Sequence, residues 1–249
     1  MFRSLIFVAS AFGLLLLLSS CNENNTEDFP LELGYEYFPL EVGKYTIYQV
    51  DSVLFDTTGT GVVIDSTQSF IRETIVDTFV DNSGQTNYRI EREWRRSLGE
   101  TWTVQDVWTA LRSDIRAERV EENFRFVKMV FPLSVGRSWD GNQFIDINTN
   151  ISVAGETIVP FKNWFYEILS VGEPGAVGVL QFDEVAEITQ ADAENFIELR
   201  RSFERYARGV GLIYREMWIL DTQRISETDP WEEKAQKGFI LKQRLIEHN

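Results

Sequence analysis

Apolar and polar residues alternate with a period of two through much of this chain of 249 residues. In the clearest example the side chains on one face are Tyr88, Ile90, Arg92 and Trp94, and charged residues stand between them. A period of two is typical of a strand with one buried face, whereas a helix repeats every 3.6 residues. Runs of this kind recur between turn sequences such as Asp81-Asn82-Ser83-Gly84. The pattern therefore predicts a mainly β protein.

Strands that recur with short turns predict a curved antiparallel sheet, in the form of a meander, a half-barrel or an open barrel. One or two short helices accompany it. One helix is predicted over Trp231–Gly238, with Asp229 as its N-cap and Pro230 in its first turn. Residues Ile197–Ala207 fit either a helix or a strand. The strand is favoured because it would pair with residues 179–189 and continue the meander.

A short pattern occurs twice in the chain. Phe38-Pro39-Leu40-Glu41-Val42-Gly43-Lys44 returns, 93 residues later, as Phe131-Pro132-Leu133-Ser134-Val135-Gly136-Arg137. This separation is too long for a solenoid repeat, which spans roughly 20–50 residues. The pattern predicts two β-halves that are each opened by the same turn. Chance similarity is the alternative.

The N-terminus has the features of a bacterial lipoprotein signal peptide. The apolar run Leu5–Leu18 has the length of a signal segment and is short for a transmembrane helix. It leads into Leu18-Ser19-Ser20-Cys21, which matches a lipobox. Small residues before Cys21 let the peptidase reach the scissile bond. The free thiol of Cys21 takes a diacylglyceryl group, and the new α-amine can then be acylated. The alternatives are a secretory signal cleaved near Ser20, or an uncleaved anchor helix.

These features predict three segments. Residues 1–20 form the cleaved signal peptide, residues 21–33 the lipidated cysteine and a flexible tether, and residues 34–249 a single β-rich globular domain. The stretch Asn22–Asp28 contains no apolar residue, as expected of a tether. Two or three acyl chains of the palmitate class on Cys21 would anchor the protein durably in a membrane of the cell envelope.

The composition excludes several kinds of site. Cys21 is the only cysteine, which excludes an intrachain disulfide and a cysteine metal site. His248 is the only histidine and the penultimate residue, which makes a Ser-His-Asp or Cys-His system improbable. The net charge of −15, without a basic block, argues against a nucleic-acid partner. The sequence predicts no catalytic residue, no metal site and no cofactor.

Glu184 is the one candidate for a buried acid, because it shares strand parity with Phe182, Ala186 and Ile188. A buried carboxylate is destabilising unless it is paired, so Arg201 or Arg205 on the neighbouring strand is the expected partner. The alternative is the acid of a glycosidase-like hydrolase, which needs a second carboxyl group at roughly 5–10 Å.

Several short motifs resemble one group of proteins. They are Tyr37-Phe38-Pro39-Leu40 with Val42-Gly43, the stretch Tyr206–Glu216, and Trp231–Ala235 with Gly238-Phe239-Ile240. They resemble small envelope lipoproteins of Bacteroidota-type bacteria and, more distantly, the TapB-like lipoproteins. The resemblance implies an outer-membrane lipoprotein with a curved antiparallel sheet, similar to the lipoprotein-carrier half-barrels. It implies no catalytic residue.

Three functional hypotheses follow. The first is a non-catalytic, membrane-anchored envelope lipoprotein that binds an apolar ligand or an envelope component in the hollow of its sheet, which aromatic residues (13% of the chain) could line. The second is an accessory protein that docks to an envelope partner through a sheet edge or an acidic face. The third is a carboxylate-based hydrolase. An open apolar groove would favour the first, a buried, dry sheet face the second, and two convergent acids in a cleft the third.

Overall fold

A single antiparallel sheet of twelve strands makes up most of the structure, a computed structural model that describes residues 32–249. These residues form one compact unit. The predicted signal peptide and the lipobox, with Leu18, Ser19, Ser20 and Cys21, lie outside the described residues, so these assignments stay predictions.

The strands fall into two groups along the chain. A short 3-10 helix, Tyr35–Tyr37, precedes the first group. The strands of the first group are β1 (Tyr45–Thr58), β2 (Gly61–Val80), β3 (Thr86–Arg95), β4 (Thr103–Arg112), β5 (Arg116–Glu121) and β6 (Phe124–Val130). The second group consists of β7 (Ser138–Trp139), β8 (Ile151–Val153), β9 (Glu156–Ile158), β10 (Trp164–Val177), β11 (Leu180–Glu194), β12 (Glu198–Ala207), β13 (Gly211–Asp221), helix α1 (Trp231–Lys234) and β14 (Lys237–His248). Strands β8 and β9 form a separate hairpin.

The sheet is strongly curved and nearly closed, which confirms the predicted fold class. Its strand order is β6-β5-β4-β3-β2-β1-β14-β13-β12-β11-β10-β7. Strand β1 pairs with β14 over a long antiparallel register, from Thr46↔His248 to Phe55↔Gly238. At the other junction the two end strands meet through Val127 of β6. Its amide donates to the Gly141 carbonyl at 2.8 Å, and its carbonyl accepts from Trp139 Nε1 at 2.8 Å.

The repeated motif marks a structural duplication, as predicted. The amide of Gly43 donates to the carbonyl of Ile75, and the amide of Gly136 donates to that of Ile168, each at 2.8 Å. Ile168, like Gly136, lies 93 residues after its counterpart. Both glycines have positive φ angles, 93° and 81°, which an L side chain adopts only with strain. Each half is therefore a six-stranded meander opened by the same turn.

Two local predictions met different outcomes. Residues 198–207 form strand β12, which pairs with β11 and β13, so the favoured strand interpretation is confirmed. The helix near the C-terminus is shorter than predicted. It covers Trp231–Lys234, with Pro230 rather than Asp229 at the N-cap position, and Gly238 lies within β14. Strand β14 takes over these residues because its pairing with β13 begins at Lys237.

Candidate functional site

The hollow of the sheet is filled by a layer of buried ion pairs. In the first half, Glu73 on β2 accepts from Arg92 Nε at 3.1 Å and from Arg119 Nη2 at 2.5 Å. The three side chains are at most 9% exposed. Arg92 also lies 3.5 Å from Asp106 and stacks on Trp108, with its guanidinium 3.5 Å from the ring centroid. Buried charged side chains therefore occupy the interior of this half, where apolar side chains would be expected.

The layer continues into the second half through Arg215 on β13. Arg215 donates to both carboxylate oxygens of Glu121, at 2.8 and 3.1 Å, and to Glu204 at 2.6 Å. Lys128 Nζ lies 3.2 Å from Glu121 and 3.0 Å from Glu204. The hydroxyl of Tyr206 donates to the second oxygen of Glu204 at 2.5 Å. Each carboxylate is thus balanced by at least two donors.

Strand register explains how local sequence produces this layer. Glu73 stands directly opposite Arg92 in the β2–β3 pair, and Glu204 stands opposite Arg215 in the β12–β13 pair. Residues directly opposite in an antiparallel pair point to the same face, with their Cβ atoms about 5 Å apart. The closed curvature then brings Arg215 to Glu121, on the far side of the interior.

The ion pair between Glu121 and Arg215 joins equivalent positions of the two halves. Ile90 and Ile188 occupy corresponding places, and their partners on the next strands are Trp108 and Glu204. The next strand in the second half is β13, where Arg215 lies opposite Glu204. The next strand in the first half is β5, where the β4–β5 register places Glu121 beside Trp108. Opposite charges at these two related positions neutralise each other at the centre of the fold.

The carboxylates of this layer are held in their ionised form. Burial opposes ionisation of Glu204, but Arg215 and Lys128 outweigh it and keep its pKa below the ordinary value. The pKa of Glu121 is lowered further, since burial is outweighed by Arg215, Lys128 and Arg119. Burial and Glu204 together raise the pKa of Tyr206 well above its usual range. A general acid of a glycosidase needs a raised carboxyl pKa, so these convergent acids do not support the hydrolase hypothesis.

The ionised layer predicts acid sensitivity. The pKa values of Glu73, Glu121 and Glu204 are lowered from 4.5 in the folded protein, so the unfolded chain binds protons first as pH falls. Their stabilisation is complete above about pH 4.5 and is lost as the pH falls through the folded values. We expect the urea midpoint of residues 32–249 to drop steeply below about pH 4.5. A midpoint that stays level there would contradict this.

A small cavity of about 70 Å³ lies beside the layer, near the start of β1. Its lining residues include Phe38, Leu40, Tyr45, Glu73, Ile75, Ile90, Arg119 and Leu212. A cavity of about 150 Å³ is needed to hold benzene, and ligand pockets commonly reach about 300–1,000 Å³. This cavity therefore cannot enclose an acyl chain. The hollow beside the ionic layer is therefore not an open apolar groove.

The prediction of a buried acid at Glu184 is wrong. Its side chain is 43% exposed and lies 2.8 Å from Arg208 Nε, with Tyr37 Oη at 3.5 Å. The predicted partners Arg201 and Arg205 instead stand opposite Asp192 and Glu187. Glu184 shares a face with buried residues, but the paired part of β12 ends opposite Val185. Glu184 therefore meets Arg208, which follows β12, in place of a partner within that strand.

Part of β2 forms an open sheet edge. Strand β3 pairs with β2 only from Phe70 to Val80, so Gly61–Ser69 pairs with β1 alone. Every residue from Gly61 to Gln68 is exposed, and Val62, Val63 and Ile64 are 37%, 52% and 52% exposed. Natural edge strands are commonly protected by lysine, proline or a bulge. This segment has none of these, and its one charged residue is Asp65.

No helix between residues 32 and 249 is long and apolar enough to cross a membrane. Within the same range, no group of three or more His, Cys, Asp or Glu side chains is placed to hold a metal ion.

Comparison with known proteins gives two similar solved structures. One is a protein from Bacteroides fragilis with a YmcC-like fold, inferred to be exported; it is 12% identical, the match covers 85% of this chain and 98% of that chain, and the TM-score is 0.41. The other is an inferred lipoprotein from Parabacteroides distasonis, 11% identical, with 86% and 98% of the two chains covered and a TM-score of 0.32. No family model and no curated protein matches the chain.

Proposed function

We propose that this chain is a non-catalytic accessory lipoprotein of the bacterial cell envelope, anchored by acyl chains on Cys21 in the outer membrane. It docks to an envelope partner by adding an extended segment of that partner to the open edge Gly61–Ser69. The observation that carries the proposal is this unprotected edge, which offers main-chain donors and acceptors beside exposed aliphatic side chains. The lipobox and the motif resemblance support the anchor and the location.

The partner chemistry follows from the edge. A strand added to a sheet gains main-chain hydrogen bonds, and alternate side chains give specificity. Val62 and Ile64 have the same parity and point to one face of the sheet at this edge, whereas Val63 points to the other face. The expected partner segment is therefore extended, with apolar side chains and low charge.

We expect photoreactive residues at positions 62–68 to form a discrete cross-linked product in intact cells. The control positions are Ile147 and Ile225, which are 55% and 73% exposed and lie in connections outside the strands. The variant Val63→Lys should abolish the product formed from position 66, because a charged edge resists strand addition. It should change stability by less than about 0.5 kcal/mol, as for most surface substitutions. Equal yields at edge and control positions would count against the docking site.

The anchor has a separate test. The variant Cys21→Ala removes the thiol that accepts the diacylglyceryl group, so the protein should leave the membrane fraction or accumulate as unprocessed precursor. The measurement is incorporation of labelled palmitate into the immunoprecipitated chain. Undiminished labelling of the variant would show that Cys21 is not the acceptor.

A further inference from the structure

One end of the sheet presents an aliphatic side chain in each of its connections or, at Val80, on the last residue of the strand that leads into the connection. These connections precede β1 or join β2 to β3, β4 to β5, β6 to β7, β10 to β11 and β12 to β13. The side chains, which together we call the aliphatic rim, are Val42, Val80, Ile115, Val135, Val179 and Val210. Val210 is half-buried and the other five are 52–93% exposed. A singly exposed aliphatic residue is ordinary on a protein surface, so what sets these six apart is that all of them lie at one end of the sheet.

The duplication distributes the rim around this end. Val42 and Val135 occupy the same place in the repeated turn, just before Gly43 and Gly136. The turns that carry Ile115 and Val210 also correspond, because they join equivalent strands of the two halves. The aliphatic tips therefore surround the end of the sheet instead of clustering on one side.

The described chain begins inside this rim. Glu32 lies 2.9 Å from Arg208, next to the turn of Val210, and the Leu33 carbonyl accepts from the amide of Leu133 at 3.1 Å. The hydroxyl of Tyr35 donates to the carbonyl of Asp114, the residue before Ile115. The chain upstream of Glu32 therefore leaves from the end that carries the aliphatic tips.

The length of that upstream segment limits where a lipid on Cys21 can lie. Cys21 is eleven residues before Glu32. Such a segment spans at most about 40 Å when fully extended, and about 18 Å on average as a coil. Strand β1 alone, with 14 residues, is roughly 45 Å long. A membrane that holds the acyl chains therefore lies within easy reach of the rim and at the limit of reach for the opposite end.

We propose that the aliphatic rim rests on the lipid surface beside the acyl chains of Cys21, with its side chains at the boundary between headgroups and acyl chains. This proposal rests on the lipid anchor of the proposed function. Contact through aliphatic tips does not require anionic lipids, so a neutral phosphatidylcholine surface is sufficient. The open edge of β2 begins at the opposite end of the sheet and then faces away from the membrane.

The test uses the mature lipidated chain in phosphatidylcholine vesicles. Cys21 is the only cysteine, and its thiol is alkylated in the lipidated protein, so an introduced cysteine is the only reactive thiol. An environment-sensitive fluorophore is attached in the variants Val135→Cys and Val179→Cys. The matched controls are Leu98→Cys and Ile225→Cys, at positions 62% and 73% exposed in connections of the opposite end.

We expect iodide quenching to be several-fold weaker at the two rim positions than at the controls, and lipid-borne quenchers to act only at the rim. Flotation of the same samples reports on the anchor independently. If the protein floats with the vesicles and iodide quenches all four positions equally, the rim proposal is overturned while the anchor stands. If the lipid-labelled protein does not float, the anchor fails and the rim proposal fails with it.

Discussion

Replacing Glu204 by glutamine is expected to destabilise the folded protein by about 3–5 kcal/mol, the usual range when one partner of a buried ion pair is removed. Glu204 has no exposed side-chain surface, and its carboxylate faces both Arg215 and Lys128. Glutamine keeps the shape but removes the charge. Two buried cations would then share Glu121 as their remaining counter-charge. The measurement is urea unfolding of residues 32–249 at neutral pH.

The matched control is Asp192→Asn. Asp192 on β11 pairs with Arg201 on β12, at 3.9 Å, but the two side chains are 79% and 44% exposed. Exposed pairs contribute about 0–1 kcal/mol, so this variant should unfold close to the unmodified protein. Equal losses for the two variants would show that the buried layer contributes no more than a surface pair.

Replacing Gly238 by alanine is expected to be at least as damaging, with a loss above about 4 kcal/mol, which few single substitutions reach. Gly238 has a φ of 113°, and a Cβ at this position would lie 1.9 Å from the carbonyl oxygen of Ile219. That atom belongs to the backbone of β13, so it cannot move without breaking the β13–β14 pairing. The expected result is loss of cooperative unfolding, or a protein that accumulates unfolded.

Gly43→Ala separates backbone strain from the clash. Gly43 has a φ of 93°, and a Cβ there would meet no atom within 4 Å. Only the strain of a positive φ remains, which costs about 1–2 kcal/mol. If both alanine variants lose the same stability, the close approach between Gly238 and Ile219 does not constrain the fold.

Strand parity placed one residue of the ionic layer on an apolar face. Arg92 was placed on the same face as Ile90 from the sequence, and Glu73 has the parity of its neighbours Ile71 and Ile75. A charged residue of each sign on an apolar face is the signal that could have identified this pair. The signal does not reveal the partner, because the β2–β3 register depends on a bulge between Ile75 and Asp77.

On β12, the alternation of apolar and polar residues does not identify the side chains that face the interior. The apolar parity of Leu199, Phe203 and Ala207 gives no sign that Ser202, Glu204 and Tyr206, on the opposite parity, are buried as well. Polar groups fill this inner face because Arg215 and Lys128 neutralise Glu204 there. These cations come from β13 and β6, and β6 is distant in sequence. A local pattern cannot report such a partner.

The open edge of β2 was also beyond local prediction. No local pattern marks the exposure of these residues, which follows only from where β3 stops pairing. Strand β1 pairs with this segment of β2 on one side and with β14 on the other. The β1–β14 pairing joins the two ends of the domain. The sequence therefore predicted the fold class, the duplication and the strand parities of one half, while the sheet edges depend on non-local pairing.

The duplication also bears on how the chain folds. Within each half every strand pairs with its neighbour in the meander, so local hairpins can assemble each half on its own. Closure is different, because the β1–β14 register joins residues as far apart as Thr46 and His248. A contact between residues this far apart in sequence requires closing a long loop, and the entropic cost of that closure slows folding. Until the last strand is available, β1 remains an exposed edge, so the interval before closure is when the chain is most exposed to aggregation.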